Sequence, residues 1–489
     1  MTDVLARLRA MQESDLPVHG GRTLAYVYDS GLPDIDALGR EAVAAYAGSN
    51  GLDPTAFPSL LAMENDVVGT ACDLLDAPPE AVGTVTSGGT ESCLLAVQGA
   101  RDARPDIATP SMVVADSVHA AFHKAAHYFG VRTVVVPVGA DRRADPAAMT
   151  AAIDETTVLV VGSAPSYAHG VVDPITELAA AAEARGVRCH VDACIGGWVL
   201  PYAERAGRDV PPWTFAVPGV TSISVDLHKY GYAPKGTSVL LHRDPSLRRP
   251  QFFAWADWPG YTMLNSTLQS TKSGGPLAGA WAVMQALGDA GYERLAAQAF
   301  AATDAIVAGV EAPLRVMVAP DSTLIALATD ETCDPFTICD EMLTRGWFVQ
   351  PQMSYARHPA TIHLSVSAAT DPTEFLAALR AAVEASVTAG PVAVEADVVA
   401  FIEALDPAAL TDEDFDGLLA ASGLVGAGEA DGLALPERMA PVNALLDIAS
   451  PAMREALLVA FLDRLSRPAR SSARDSDQAG TPTRPAGVA

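Results

Sequence analysis

Seven short apolar runs, rich in β-branched residues, alternate with longer Ala-rich segments in the first half of the chain. The runs occupy residues 82–86, 112–115, 133–138, 158–162, 187–192, 222–226 and 238–242. Runs of this kind are typical of strands, and the helical periodicity of the segments between them predicts a mainly parallel sheet covered by helices. The last run is the expected antiparallel exception, because the loop before it is too short for a parallel crossover.

Helical patterns flank this region on both sides. A polar N-terminal arm is followed by helical patterns at 36–46 and 58–75, and a long one at 277–309 leads into a smaller segment with strand patterns at 323–327, 347–350 and 361–366. From residue 392 the pattern is helical and acidic, and from Ser466 the chain is rich in Pro, Ser, Gly and charge. Such a composition cannot bury enough apolar surface to fold, so this tail is predicted to be disordered.

The order of these patterns predicts an α/β protein of several units, since 489 residues exceed what one core usually holds. The predicted units are an N-terminal arm with helices (1–75), a large domain (76–300), a small α+β domain (301–390), an acidic helical extension (391–465) and the disordered tail (466–489).

Composition narrows the classes of function. The net charge of −27 argues against nucleic acid or an anionic membrane as partner, since both attract basic surfaces. No apolar run approaches the roughly 20 residues of a membrane span, and the charged N-terminus resembles no secretory signal, so we expect a soluble, cytoplasmic protein. The cysteines show no close spacing typical of metal ligands, and we expect buried free thiols and no metal site: Cys72, Cys93, Cys189, Cys194, Cys333 and Cys339.

The segment SVDLHKYGYAPKGTSVLL, from Ser224 to Leu241, is the most informative in the chain. A strand pattern ends near Asp226, so Lys229 falls on a loop at a strand end, where open α/β sheets bind ligands. A lysine among aromatic and cationic neighbours can have a lowered pKa and act as a nucleophilic amine. The alternative is an ordinary solvated lysine, which this segment alone does not exclude.

Two further residues follow strand runs at the same predicted sheet edge. Asp192, in HVDACIGGW, could hold a proton on the pyridine nitrogen of a cofactor, or it could be a buried structural residue. His119, near a helix start, could stack on an aromatic cofactor ring. His123 and His127 follow it at helical spacing, but no carboxylate partner lies on that face and metal binding is not expected.

The segment TSGGTESCLLAV joins a strand run to a helical pattern. Backbone N–H groups and hydroxyls at such a helix start suit an anion such as a cofactor phosphate. The residues concerned are Ser87, Gly88, Gly89 and Thr90. In a simpler interpretation Thr90 caps the helix and no ligand is involved.

Taken together, these segments resemble the group II decarboxylase superfamily, which depends on pyridoxal 5'-phosphate (PLP) and has fold type I, and within it the sphingosine-1-phosphate lyases. The resemblance spans residues 21–387 and rests on TSGGTES, HAAFHKAA, PSYAHGVVDP, HVDACIGGW, DLHKYGYAPKGTS and the segment from DWPGY to GG at 257–275. It implies an aspartate aminotransferase-like fold with a mostly parallel large-domain sheet and a small α+β C-terminal domain, to which this chain adds a helical region.

The resemblance also assigns roles around the cofactor. Lys229 would hold PLP covalently, Asp192 would pair with the pyridine nitrogen, and His119 would stack on the ring. The phosphate would be bound by Ser87, Gly88, Gly89 and Thr90, together with His228.

Members of the superfamily are homodimers with shared active sites, in which a glycine-containing loop of one subunit reaches the partner's cofactor. Ser273, Gly274 and Gly275 fit that loop. Substrate contacts would fall on Tyr167, Lys235 and a tyrosine of the N-terminal arm, which is Tyr26 or Tyr28.

The chain departs from the lyase pattern near its N-terminus. Where the lyases carry a histidine in an N-P-L-H-P segment near the substrate phosphate, this chain has N-G-L-D-P with Asp53. An acid repels a phosphate, so the small amine or amino-acid substrate stays unspecified. The favoured reaction is carbon–carbon cleavage that releases an aldehyde, with Tyr167 or Lys235 as the base.

Two alternatives remain at the level of sequence. The first is a PLP-dependent amino-acid decarboxylase, in which Arg357 or His363 would anchor the substrate. The second is a non-catalytic scaffold that binds a partner through its acidic C-terminal helices.

Overall fold

The computed structural model describes residues 2–421 and 436–466. Three helices precede the first strand: α1 (Thr2–Gln12), α2 (Pro33–Ala45) and α3 (Pro58–Leu74). Helices α2 and α3 both begin with a proline, whose fixed φ and missing N–H suit the first helical turn. The two predicted helical patterns of this region are confirmed.

A seven-stranded sheet forms the centre of the large α/β region. Its strands are β1 (Val82–Thr86), β2 (Ser111–Ala115), β3 (Arg132–Val136), β4 (Thr157–Ser163), β5 (Arg188–Asp192), β6 (Val220–Asp226) and β7 (Ser238–His242). They lie in the order β1-β7-β6-β5-β4-β2-β3. Strand β7 is antiparallel to both neighbours, and the other pairs are parallel. The predicted sheet with its one antiparallel exception is confirmed.

Helices cover both faces of this sheet. They are α4 (Gly89–Asp102), α5 (Ala120–Phe129), α6 (Pro146–Ala152), α7 (Ile175–Ala184), α8 (Leu200–Arg205) and α9 (Pro245–Arg248). Successive strand residues point to opposite faces, so Val113 packs into the core on the α7 side while Met112 and Val114 pack under α4 and α5. Two apolar layers therefore enclose the sheet.

A short hairpin and a long helix follow. The hairpin consists of β8 (Phe253–Trp255) and β9 (Met263–Asn265), and its aromatic side chains are exposed, with Trp255 at 52%. Helix α10 (Gly274–Gly309) is interrupted at Gly288, where φ is 55° and ψ is −176°. It packs along α2, where Gly279 and Gly39 allow the two backbones to approach closely.

The small sheet is antiparallel throughout. Its strands are β10 (Leu314–Val316), β11 (Leu324–Thr329), β12 (Gln350–Gln352) and β13 (Thr361–Ser365), in the order β10-β11-β13-β12. Helices α11 (Pro335–Thr344) and α12 (Pro372–Ala389) pack on it. The α+β pattern is confirmed, although the sequence analysis missed β10 and placed β12 three residues too early.

The C-terminal region is helical, as predicted. It contains α13 (Ala396–Ala404), α14 (Asp412–Ala421), α15 (Ala440–Ile448) and α16 (Pro451–Leu465), which share a small core that includes Ile402, Phe415 and Leu457. The predicted disordered tail lies, from residue 467 on, outside the described residues. The predicted unit boundaries stay predictions. Within the described ranges, no helix is both long enough and apolar enough to cross a bilayer.

Candidate active site

A cavity of about 390 Å³ opens at the carboxyl ends of β4, β5 and β6. These strands are parallel and adjacent, so their last residues meet at one edge of the sheet. Nine residues predicted from the sequence line this cavity: Ser87, Gly88, Gly89, Thr90, His119, Tyr167, Asp192, His228 and Lys229. The structure therefore brings together groups that are spread over more than a hundred positions of sequence.

Lys229 is paired with a carboxylate that the sequence analysis had assigned no role. Its Nζ lies 3.0 Å from Oδ2 of Asp226, whose side chain is 1% exposed. Burial lowers the pKa of Lys229, but Asp226, with smaller contributions from Cys194, Tyr28 and Asp192, raises this pKa well above the ordinary value. The expectation of a lowered Lys229 pKa is therefore wrong for this structure, because the pairing with Asp226 was not considered.

Asp226 stays ionised at this position although it is fully buried. Burial would raise its pKa, but Lys229 and His228 lower it below the usual value. The signal was present in the sequence, since a carboxylate three residues before Lys229 ends the same strand. The direction of its side chain was not predictable from spacing alone.

The predicted partners of a pyridine ring lie together. Asp192 is 8% exposed, and its Oδ1 accepts a hydrogen bond from the Cys194 N–H at 3.1 Å. His119 caps α5 and accepts a hydrogen bond from Ala121 N–H at Nδ1, 3.2 Å away, which leaves that nitrogen without a proton. Burial also lowers the pKa of His119, so the imidazole is neutral and presents an aromatic face.

The start of α4 is open for an anion. Gly88 is the N-cap of α4 and no side chain caps the helix, so the interpretation of Thr90 as cap is wrong. Uncapped N–H groups at a helix start attract phosphate. His228 lies beside this turn, since a Cβ on Gly88 would stand 3.7 Å from its Cε1.

Glu91 is a second residue of this turn that the sequence analysis missed. Its carboxylate accepts hydrogen bonds from the Ser87 N–H at 2.6 Å and the Leu268 N–H at 2.8 Å. It thereby joins the predicted phosphate turn to the segment that leads to Ser273. The available signal was the place of Glu91 three residues after the N-cap Gly88, from which a carboxylate can reach back to a backbone N–H before the helix.

On the predicted substrate side, Lys235 and two tyrosines meet. Lys235 Nζ donates to the carbonyl of Tyr26 at 2.8 Å and lies 5.0 Å from the ring centre of Tyr28. Lys235 is exposed as a residue, but its ammonium lies near this ring and also donates to the His228 carbonyl at 3.2 Å, which removes part of its water. That desolvation, helped by the positive charge of Lys229, lowers the pKa of Lys235 to about 8.

Tyr167 is held by the small sheet. Its hydroxyl donates to Oε1 of Gln350 at 2.5 Å, and its ring stacks on His363 with 4.1 Å between centres. Burial raises the pKa of Tyr167 and lowers that of His363 to about 3. Tyr167 is therefore a phenol and His363 a neutral imidazole near neutral pH.

Several predicted residues do not reach this cavity within the same chain. Asp53 is exposed and accepts hydrogen bonds from Thr55 in a turn, and Arg357 is exposed on a loop. Ser273 pairs with Asn50 at the start of α10. The predicted residues that do not line this cavity are Tyr26, Tyr28, Asp53, Lys235, Ser273, Gly274, Gly275, Arg357 and His363. The segments 51–54 and 264–272 instead line a second cavity of about 240 Å³.

Two cysteines that are far apart in sequence meet in the cofactor cavity. The donor atoms of Cys93, Asp192 and Cys194 all lie within 4.8 Å of one another. The thiols are buried, and the pKa of Cys194 is raised well above its ordinary value by its contact with Cys93 and by burial. The contact between Cys93 and Cys194 was not predicted, because spacing along the chain does not reveal it.

Comparisons with known proteins identify the relatives of this chain. The family described as "Pyridoxal-dependent decarboxylase conserved domain" matches residues 22–327. The family described as "Pyridoxal-dependent enzyme, C-terminal putative HTH domain" matches residues 396–464. The sphingosine-1-phosphate lyase of Arabidopsis thaliana is 37% identical over 403 residues, which are 80% of this chain and 73% of that protein.

Solved structures give the same grouping. A sphingosine-1-phosphate lyase of Burkholderia pseudomallei K96243 is 36% identical with a TM-score of 0.74, covering 79% of this chain and 91% of that one. The glutamate decarboxylase of Lactobacillus brevis is 21% identical with a TM-score of 0.70 over 80% and 93% of the two chains, and shows the shared fold. The chain spans 62% to 64% of the length of the lyases of Dictyostelium discoideum and Rattus norvegicus.

Proposed function

We propose a reaction for this chain, which belongs to the pyridoxal-dependent decarboxylase family. It is a lyase that cleaves the carbon–carbon bond between an amine-bearing carbon and a hydroxylated neighbour, and it releases an aldehyde. The chain has PLP fold type I and is a PLP-dependent lyase. Its likeness to a sphingosine-1-phosphate lyase extends over 403 residues, which are 80% of the chain.

The residues of the cavity fit this cofactor. The uncapped start of α4 suits the phosphate, the carboxylate of Asp192 suits a protonated pyridine nitrogen, and the neutral His119 ring suits stacking. Lys229 is the lysine available for covalent attachment among the residues that line the cavity. When bound, PLP supplies an electron sink for the electron pair of the broken bond.

Lys235 is the better candidate for the base that removes the proton of the substrate hydroxyl. A base works best when its pKa lies near the working pH, and that of Lys235 is lowered to about 8. The pKa of Tyr167 is raised by burial, and its hydroxyl already donates to Gln350. We therefore propose that Lys235 accepts the proton and that Tyr167 orients the substrate.

The substrate is proposed to be a phosphorylated 2-amino-3-hydroxy compound. This proposal rests on the 37% identity to a sphingosine-1-phosphate lyase, whereas Asp53 lies outside the cavity that contains Lys229 of its own chain. The decarboxylase alternative is less well supported, since His363 is fully buried and neutral, and Arg357 is exposed on a loop. Neither is placed as an anchor for a carboxylate.

We also propose a homodimer with shared active sites, in which Ser273, Gly274 and Gly275 serve the partner's cofactor. These residues adjoin the second cavity and follow the exposed aromatic hairpin, and they do not reach Lys229 of their own chain. A cytoplasmic location is a further proposal. It is supported by the six cysteines, which are all free, as in a reducing compartment.

The reaction is tested by measuring aldehyde and CO2 together. Purified enzyme is incubated with phosphorylated amino alcohols and with plain amino acids, and the Lys229→Ala variant serves as the control without covalent attachment. The proposal predicts an aldehyde from a phosphorylated substrate and none from the variant. Release of CO2 from an amino acid, with no aldehyde from any substrate, would establish a decarboxylase instead.

A further inference from the structure

The C-terminal helical unit, residues 396–421 and 436–466, is a poor DNA-binding domain despite its match to an HTH family. Between residues 396 and 464 the sequence has 13 Asp or Glu residues, three arginines and no lysine. HTH domains that bind DNA need cations for the phosphate backbone. The three arginines of this unit are all engaged within the chain, Arg438 with Glu341, Arg454 with backbone carbonyls and Arg464 with Asp416.

The described part of this unit is docked on the small sheet region. Asp340 of α11, which is 6% exposed, accepts hydrogen bonds from the Met439 N–H at 2.9 Å and the Ala440 N–H at 2.8 Å. A carboxylate at a helix start is stabilised by the helix dipole. Ala444 continues the contact by packing against Phe336. The start of α15 is therefore fixed on α11.

The C-terminal unit makes a second contact with Ser354, in the loop that follows β12. Asp447 accepts a hydrogen bond from the Ser354 N–H at 2.5 Å, and Arg454 Nη1 donates to the Ser354 carbonyl at 3.3 Å. Arg454 is itself held by the Leu446 carbonyl at 2.9 Å. Both backbone groups of Ser354 are thus bound by the C-terminal unit.

The same loop contacts the segment that leads to His119 in the active site. Tyr355 and His358 exchange two backbone hydrogen bonds, which makes residues 355–358 a tight turn. His358 accepts a hydrogen bond from Arg142 at Nδ1, 3.0 Å away, and its Nε2 lies 3.3 Å from Oδ2 of Asp116. Asp116 begins the short connection to His119, whose ring faces the cofactor cavity.

We propose that the C-terminal unit is an intramolecular brace whose Asp447 and Arg454 are positioning residues for the loop 353–358, which contacts Asp116. By binding Ser354 they keep His358 in contact with Asp116. Asp116 begins the segment that leads to His119, so the position of His119 depends on this contact. At its other end the loop follows β12, whose Gln350 binds Tyr167. The partner of this HTH-like unit is the chain's own small sheet region. The effect on turnover rests on the proposed function, whereas the effects on loop protection and cofactor binding do not.

The test compares variants of the full-length holoenzyme. Asp447→Ala and Arg454→Ala each remove one bond to Ser354, whereas Asp447→Asn keeps an acceptor for the Ser354 N–H. Arg464→Ala is the matched control, since Arg464 lies on α16 like Arg454 but pairs with Asp416 and Asp412, away from the loop. The readouts are amide hydrogen exchange of residues 353–358, PLP dissociation, KM and kcat, and thermal unfolding.

We expect Asp447→Ala and Arg454→Ala to speed amide exchange in the loop and to raise KM by about fivefold, the scale of one lost hydrogen bond. Asp447→Asn should restore most of the wild-type behaviour, and Arg464→Ala should leave loop exchange and KM unchanged. The brace is refuted if Arg464→Ala has the same effects as Arg454→Ala. It is also refuted if Asp447→Ala and Arg454→Ala both leave the amide exchange of residues 353–358 unchanged. Binding of duplex DNA at low salt that Arg454→Ala weakens would equally overturn it. If wild type cleaves no substrate, loop exchange and PLP dissociation still decide the question.

Discussion

Lys235 carries the most specific chemical expectation at the scale of single residues. Its pKa is lowered to about 8, so the neutral amine becomes a substantial fraction as pH rises through this value. As a base it should make kcat increase over that range, and Lys235→Met should remove this increase. The measurement is the pH profile of kcat for aldehyde release.

A KM that rises with pH would identify a different role for Lys235, which is binding of the substrate phosphate. If Lys235 instead pairs as an ammonium with a substrate phosphate, KM for the phosphorylated substrate should rise as pH passes about 8, because the charge is lost. Tyr167→Phe serves as the comparison. Since the phenol is already protonated, this variant should change the level of the profile and not its inflection.

Asp226 is the nearest charge that keeps Lys229 protonated in the cofactor-free protein. Its carboxylate, 3.0 Å from Nζ, raises the pKa of Lys229, yet attachment of PLP requires the neutral amine. Asp226→Asn should therefore speed capture of PLP at neutral pH, by about tenfold for each unit by which the pKa falls. Stopped-flow absorbance after mixing apoenzyme with PLP over a pH series measures this.

The contrary result for Asp226 is equally informative. Slower capture in Asp226→Asn at every pH would mean that the carboxylate acts by orienting Nζ and not through its charge. Lys229→Ala, which has no amine to attach, sets the background for reversible PLP binding.

At the scale of elements, the two neighbouring glycines in the turn between β1 and α4 differ in the space available for a side chain. A Cβ on Gly89 would lie 2.7 Å from Oδ2 of Asp226, whereas one on Gly88 would meet nothing closer than 3.7 Å. We expect Gly89→Ala to cost about 1–3 kcal/mol of stability through overpacking. Gly88→Ala should be close to neutral in stability. Denaturant unfolding of both apoenzymes checks this, and equal stabilities would contradict the packing argument.

Elements with strong local patterns were predictable, and contacts between them were not. The strands that carry Asp192 and Lys229 follow from apolar runs and from the common edge of parallel strands. Strand β12 was placed too early because Trp347 and Val349 are apolar and buried although they precede the strand. The contact of Cys93 with Cys194 and the hydrogen bonds of the C-terminal unit to Ser354 depend on tertiary packing, which spacing along the chain does not reveal.

At the scale of the whole molecule, the acidic composition takes on a different meaning in each region. The net charge of −27 agrees with a surface that avoids nucleic acid, and in the C-terminal unit acidic groups also form contacts. Asp340 and Glu341 of α11 bind Met439 and Arg438 of that unit, and Asp447 of the unit binds Ser354 beside the small sheet. Acidic residues that argue against a nucleic-acid partner thus also contribute to internal docking.

The proposed sharing of active sites between subunits can be tested by complementation. Ser273 is exposed in a single chain, so Ser273→Trp should fold normally but block the partner's cofactor cavity. Lys229→Ala and Ser273→Trp should each be nearly inactive alone. Co-expression should restore activity, because one site of the mixed dimer combines an intact Lys229 with an intact Ser273 from the other subunit. Co-expression of Lys229→Ala with the double variant should stay inactive, since no intact lysine is present. If Ser273→Trp alone retains full activity while dimeric by light scattering, the loop does not serve the partner's site.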